Sequence, residues 1–164
     1  MPAGTSAITA IANATISGST TTTVTFSSIT SAYRDILVVV SGTNSVDANL
    51  VFRFNSDSGS TYTRIGISGN GSTFSSSLSS LTGINFNNNA RIGTTAANFA
   101  LQVMDYVATD KHKPVLAISD RSDAAAERHM FRWANTAAIT SISALVTGGN
   151  LVAGTTFTLY GISS

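Results

Sequence analysis

The chain has 164 residues, no cysteine and a formal net charge of +1, and only 10% of its residues are charged, against about 25% in an average soluble domain. That length suits one core of ordinary size. Disulfides and thiolate metal sites are excluded, and the nine Lys and Arg are scattered with no run longer than one, which argues against a nucleic-acid partner.

No stretch approaches the about 20 apolar residues of a membrane-spanning helix. The opening Met1-Pro2-Ala3-Gly4-Thr5-Ser6 has no basic residue ahead of an apolar segment, so no signal peptide is expected, and synthesis in the cytosol is. Ser, Thr, Asn, Ala and Gly stand where Lys and Glu usually do. The lone Glu is Glu127, and the two Lys are Lys111 and Lys113. A surface of hydroxyls and amides costs less to bury than one of ammonium and carboxylate groups. The composition therefore favours large, permanent protein contacts, although a secreted β-protein would share it.

Residues 1–23 read as an N-terminal arm. Ile8, Ile11 and Ile16 are isolated apolar points in a background of Ala, Ser, Thr and Gly that ends in Thr20-Thr21-Thr22-Thr23. Such a segment has too little apolar surface to fold alone. It either docks on a neighbour, with the three isoleucines as assembly contacts, or forms a first strand.

Residues 24–164 read as one β-sandwich domain. Val24, Phe26 and Ser28 alternate with Thr25 and Ser27, the period of a half-buried strand. Ile36 to Val40 is a continuous apolar run, as in a strand covered on both faces. Leu50, Phe52 and Phe54 lie opposite Val51 and Arg53, and Ile65 and Ile67 follow. The Gly/Ser-rich residues 68–80 read as an exposed loop. Alternation resumes at Phe99, Leu101 and Val103, then come Val115 to Ile118, Phe131 with Trp133, Ile142 to Val146, and Phe157 to Ile162. Nine or ten short strands between Gly, Asn, Ser and Asp clusters predict an antiparallel, jelly-roll-like sandwich. The best helical candidate is Ser122 to Arg128, with an exposed loop as the alternative.

Chemistry-bearing patterns are sparse. His112 and His129 have no metal-ligand spacing and read as partly exposed strand-end residues. No nucleophile elbow surrounds any serine. Asp105 and Asp120 could form a glycosidase pair only if the fold brought them together. Gly69-Asn70-Gly71 and Gly148-Gly149-Asn150 lack the Lys and Ser or Thr of a phosphate loop and read as turns. Asn55 to Ser60 has oxygen ligands at alternate positions but a single carboxylate, and reads as a hairpin turn rather than a calcium loop. No catalytic residue, metal or cofactor is expected.

Several stretches, taken in order, resemble small virion structural proteins of tailed bacteriophages. These are Phe26-Ser27-Ser28-Ile29, Tyr33-Arg34-Asp35-Ile36-Leu37, Phe52-Arg53-Phe54-Asn55 with Asp57-Ser58-Gly59 and Tyr62, Ile139-Thr140-Ser141-Ile142, and Ala153 to Ile162. The resemblance frames residues 24–162 and leaves the middle third unmatched. It implies an antiparallel β-sandwich, a homo-oligomer with a trimer favoured, and no catalytic residues to carry over. The expected function is a capsid decoration or cement protein, with the major capsid protein or another virion protein as partner and neither nucleic acid nor membrane. The alternative is a tail-fibre or receptor-binding module that grips host glycan through Trp133, Tyr62 and Asn87 to Asn89. For Trp133, a core position beside Phe131 is the competing expectation.

Overall fold

A computed structural model describes residues 7–18, 20–69, 74–86, 91–123 and 125–163. Among them the chain is all β. In chain order the strands are β1 (Ile8–Thr15), β2 (Thr23–Phe26), β3 (Asp35–Gly42), β4 (Leu50–Phe54), β5 (Tyr62–Gly69), β6 (Phe74–Leu81), β7 (Ile84–Asn85), β8 (Ala97–Val103), β9 (Lys113–Arg121), β10 (Ala125–Trp133), β11 (Ile142–Val146) and β12 (Thr156–Ile162). They form an unequal sandwich. One antiparallel sheet runs β1-β12-β3-β8-β9-β10-β5-β6, and the other runs β2-β11-β4-β7.

The period-two alternation places the core between the sheets. Val24, Phe26, Phe52, Phe54, Ile142 and Ala144 of the small sheet meet Ile36, Val38, Val40, Phe99, Leu101, Phe157 and Leu159 of the large one, all at 8% exposure or less. Trp133, at 1% exposure, joins them, as its alternation with Phe131 foretold. Phe54, Tyr62 and Trp133 form a ring cluster with centroids 5.6–6.4 Å apart. Gly161 is required where it stands, because a Cβ there would lie 2.3 Å from the ring of Tyr33. Gly149 takes a positive φ of 65° in its turn, a conformation that costs glycine little.

Among the described residues there are twelve strands where nine or ten were expected. The Ser-rich residues read as a loop contain β6, which pairs with β5 along its whole length. Its sequence gives little apolar alternation to read. The helical candidate fails as well: Ala125 to Trp133 is a strand paired residue for residue with β9, and tertiary pairing outweighs the helix propensity of alanine. Arg121 Nε and Thr95 Oγ1 both donate to the Asp123 carboxylate, at 2.7 and 2.9 Å, and fix the turn before it.

The segment read as a hairpin turn is a turn, but it joins two sheets. Asn55 and Ser56 have φ values of 51° and 59°, and Asp57 N donates to Phe54 O at 2.9 Å, the pattern of a type I′ turn. It carries the chain from β4 in the small sheet to β5 in the large one. The Asn55 side chain then holds a distant loop: Oδ1 accepts from Thr140 N and Ser141 N, and Nδ2 donates to Ala138 O.

Candidate functional site

The three arm isoleucines have separate fates. Residues 8–15 form β1, paired with β12 across a bulge at Ile11. Ile16 is 6% exposed and belongs to the core, where Ile16 N donates to Thr155 O and Gly154 N to Ile16 O. Ile11 packs half-buried against that core. Ile8, 50% exposed, stands on the outer face of the large sheet.

The chemical candidates are dispersed. Asp105 lies in the turn after β8, 2.6 Å from Lys111 Nζ, while Asp120 sits at the far end of β9, so no carboxylate pair forms. Asp57 uses its oxygens internally: Oδ2 accepts from Trp133 Nε1 and Thr61 Oγ1, both at 2.7 Å, and Oδ1 from Gly59 N at 2.9 Å. Burial raises its pKa, but these three hydrogen bonds outweigh that and hold it below the usual value. Asp35 behaves alike, with burial opposed by hydrogen bonds from Arg34, the Asp105 amide and Gln102.

His112 is exposed. His129 is not the strand-end residue expected, because mid-β10 alternation turns it inward at 1% exposure. Its Nε2 lies 2.9 Å from Glu127 Oε2, with both side chains fully enclosed. Ser119, directly across the β9–β10 ladder from Glu127, and Arg64 are also buried. Phe86, Phe99 and Phe131 wall this polar island. A polar group in a sealed core must find its partners inside the protein. Lys113 is likewise buried, donating to Lys111 O and Thr136 O at 3.0 and 3.1 Å, and burial lowers its pKa.

The surface departs from expectation on the outer face of the large sheet. Antiparallel sheets with one wet face normally present polar residues there. Here the ladder registers line up Tyr160, Leu37, Gln102, Leu116, Met130 and Ile65 in one row, and Thr158, Val39, Ala100, Ile118 and Arg128 in the next. Leu116, Ile118, Met130 and Ile65 are 40%, 49%, 57% and 54% exposed. Leu37 and Val39 are half-buried, so the apolar run read as covered on both faces is fully covered on one only. Grooves of about 550, 320 and 490 Å³ cross this face between Ile118, Leu116 and Met130. Polar residues stand toward its ends, Asn98 and Asp120 at one and Thr63 and Arg132 at the other. The signal was present in the sequence: Val115, Leu116, Ala117 and Ile118 are apolar at both parities of one strand.

The two aromatic glycan candidates do not reach the surface. Tyr62 is fully buried, with Oη donating to Asp57 O and accepting from Phe54 N, and Trp133 is in the core. Asn87 to Asn89 lie outside the described residues.

No family model matches the sequence, and no curated protein matches it. Among solved structures the chain is similar to a tetrameric galectin from Cinachyrella sp. (ball sponge), at 6% identity over 87% of this chain and 99% of that one, with a TM-score of 0.40. It is also similar to the PL-14 alginate lyase from Aplysia kurodai, at 10% identity over 82% of this chain and 70% of that one, with a TM-score of 0.36. Likeness this remote leaves the function to be read from the chain's own residues.

Proposed function

We propose that this chain is a non-enzymatic structural protein of a bacteriophage particle, a capsid decoration protein that works by contact. The observation that supports this reading is the outer face of the large sheet. A row of exposed aliphatic side chains on an isolated domain marks a surface meant to be covered, and each, being about half-exposed already, would contribute about 0.7–1.5 kcal/mol on full burial. The sparse charge of the chain keeps the desolvation cost of such contacts low. Contacts made only in the assembled shell stabilise it by mass action.

The fibre reading has lost its aromatic platform, since Trp133 and Tyr62 are interior. Co-sedimentation with isolated capsid shells tests the proposal, together with imaging of particles made with and without this protein. Saturable binding to shells and added density on the capsid are expected. Binding to host cell envelopes with none to shells would overturn the decoration reading in favour of a receptor-binding module.

A further inference from the structure

From the same outer face we infer that its occupant is a second copy of this chain, stacked sheet on sheet about a two-fold axis. The inference names a second copy as what covers the face on which the reading above rests, which leaves shell binding to the remaining surface of the dimer, and it rests on that reading only in taking the face to be covered in the working protein.

Four observations carry it. The first is β3, whose residues Ile36 to Val40 are apolar at both parities. Such a strand is normally covered on both sides, yet among the described residues Leu37 and Val39 are only half-buried on the outer side of the large sheet. The second is extent. From β1 to β5 the face crosses seven strands, which at about 4.8 Å between strands and about 3.3 Å per residue gives roughly 34 by 23 Å. That footprint of about 800 Å² is what one partner contributes to a standard stable interface.

Charge is the third. The two central rows hold one charged side chain among their described residues, Arg128, and the other charges stand nearer the ends at Asp120 and Arg132. An identical face laid on this one therefore opposes no block of like charge, and the pattern is that of an apolar centre with a polar rim. A nucleic acid or an anionic lipid surface would need a basic face instead. Shape is the fourth. The grooves alternate with ridges made by Ile118, Leu116 and Met130, and two sheets pack at about 10 Å with side chains interdigitated in this way. The same patch serves both copies, so the contact closes on itself as a dimer.

Analytical ultracentrifugation of the full chain at micromolar concentration is expected to show a species of twice the 16.9 kDa chain mass. Ile118→Lys and Met130→Lys place an ammonium group in the middle of the stacked faces from positions that are solvated in the single chain. Each is expected to yield the monomer with an unchanged circular dichroism spectrum. Val152→Lys alters an exposed residue outside the sheets and is expected to stay dimeric. A wild-type monomer, a wild-type trimer, or a dimer that survives both substitutions would overturn the inference.

The two proposals fail separately. A dimer dissolved by Ile118→Lys that never binds shells leaves the paired face standing and removes the decoration role. A monomer that saturates shells does the reverse.

Discussion

Asp57→Ala is expected to destabilise the sandwich by about 3 kcal/mol, because one carboxylate ties the β4–β5 turn to the core. The substitution strips the acceptor from Trp133 Nε1, Thr61 Oγ1 and Gly59 N. Trp133 is 1% exposed, so its N–H loses its partner away from water, and a buried unsatisfied donor costs about 1–3 kcal/mol. The Thr61 and Gly59 bonds are nearer solvent and add about 0.5–1 kcal/mol between them, since water replaces the lost acceptor. For a domain of this size 1 kcal/mol moves Tm by about 2–4 °C, so thermal denaturation followed by circular dichroism should drop by about 6–12 °C. A double-mutant cycle with Trp133→Phe isolates the bond: with no indole N–H to strand, Asp57→Ala should cost about 1–3 kcal/mol less. Additive effects, or a Tm within 2 °C of wild type for Asp57→Ala, would refute the role given to the carboxylate.

The remaining expectations follow from the same geometry. Asp35 and Asp57 both have folded-state pKa values below the ordinary one, so the stability they contribute is present above about pH 4 and is lost as pH falls through their depressed values. Chemical denaturation at stepped pH should show a plateau near neutrality and a decline below about pH 4, and a flat profile down to pH 2 would contradict it. At the alkaline end burial pushes the Tyr62 hydroxyl up to about 12. The folded state therefore favours the neutral phenol, and that stability should fade as pH rises from about 10 through 12. Tyr62→Phe should blunt the alkaline loss. Ile16→Ala, at a position read as part of an arm, should cost about 2–5 kcal/mol because it opens a cavity in the core, whereas Ile8→Ala should leave Tm nearly unchanged. Equal effects at the two positions would mean that Ile16 does not pack as described.

What could be read from the sequence was whatever one strand can signal alone. β4, β8, β11 and β12 showed apolar positions at fixed parity and β3 a continuous apolar run, and the two-sheet architecture followed from them. β6 was invisible because its hydroxyls give little contrast between faces, and its pairing with β5 is decided by main-chain hydrogen bonds that no side chain advertises. Ala125 to Arg128 lacked β-branched or aromatic residues, so β10 could be recognised only from Phe131 onward. His129 looked peripheral because a histidine in isolation does. Glu127 two residues earlier, on the same face of the strand, was the sign that both point inward. The outer face escaped notice for a different reason: its residues are contiguous across the ladder and scattered along the chain. Leu37, Leu116, Met130 and Ile65 become neighbours only once the strand order is known.

The pairing of β1 with β12 sets a timetable for synthesis. Thr15 and Thr156 are ladder partners, so at about 5–20 residues per second a ribosome needs roughly 7–30 s to make the intervening chain. Throughout that interval the first strand has nothing to pair with, and the edge of β3 that β12 will occupy stays open. Closing so distant a contact is entropically slow, and an open edge rich in apolar residues invites another nascent chain to pair in its place. The longer each polypeptide waits for its final hydrogen-bonding neighbour, the longer that edge is exposed, and slower translation would deepen the exposure.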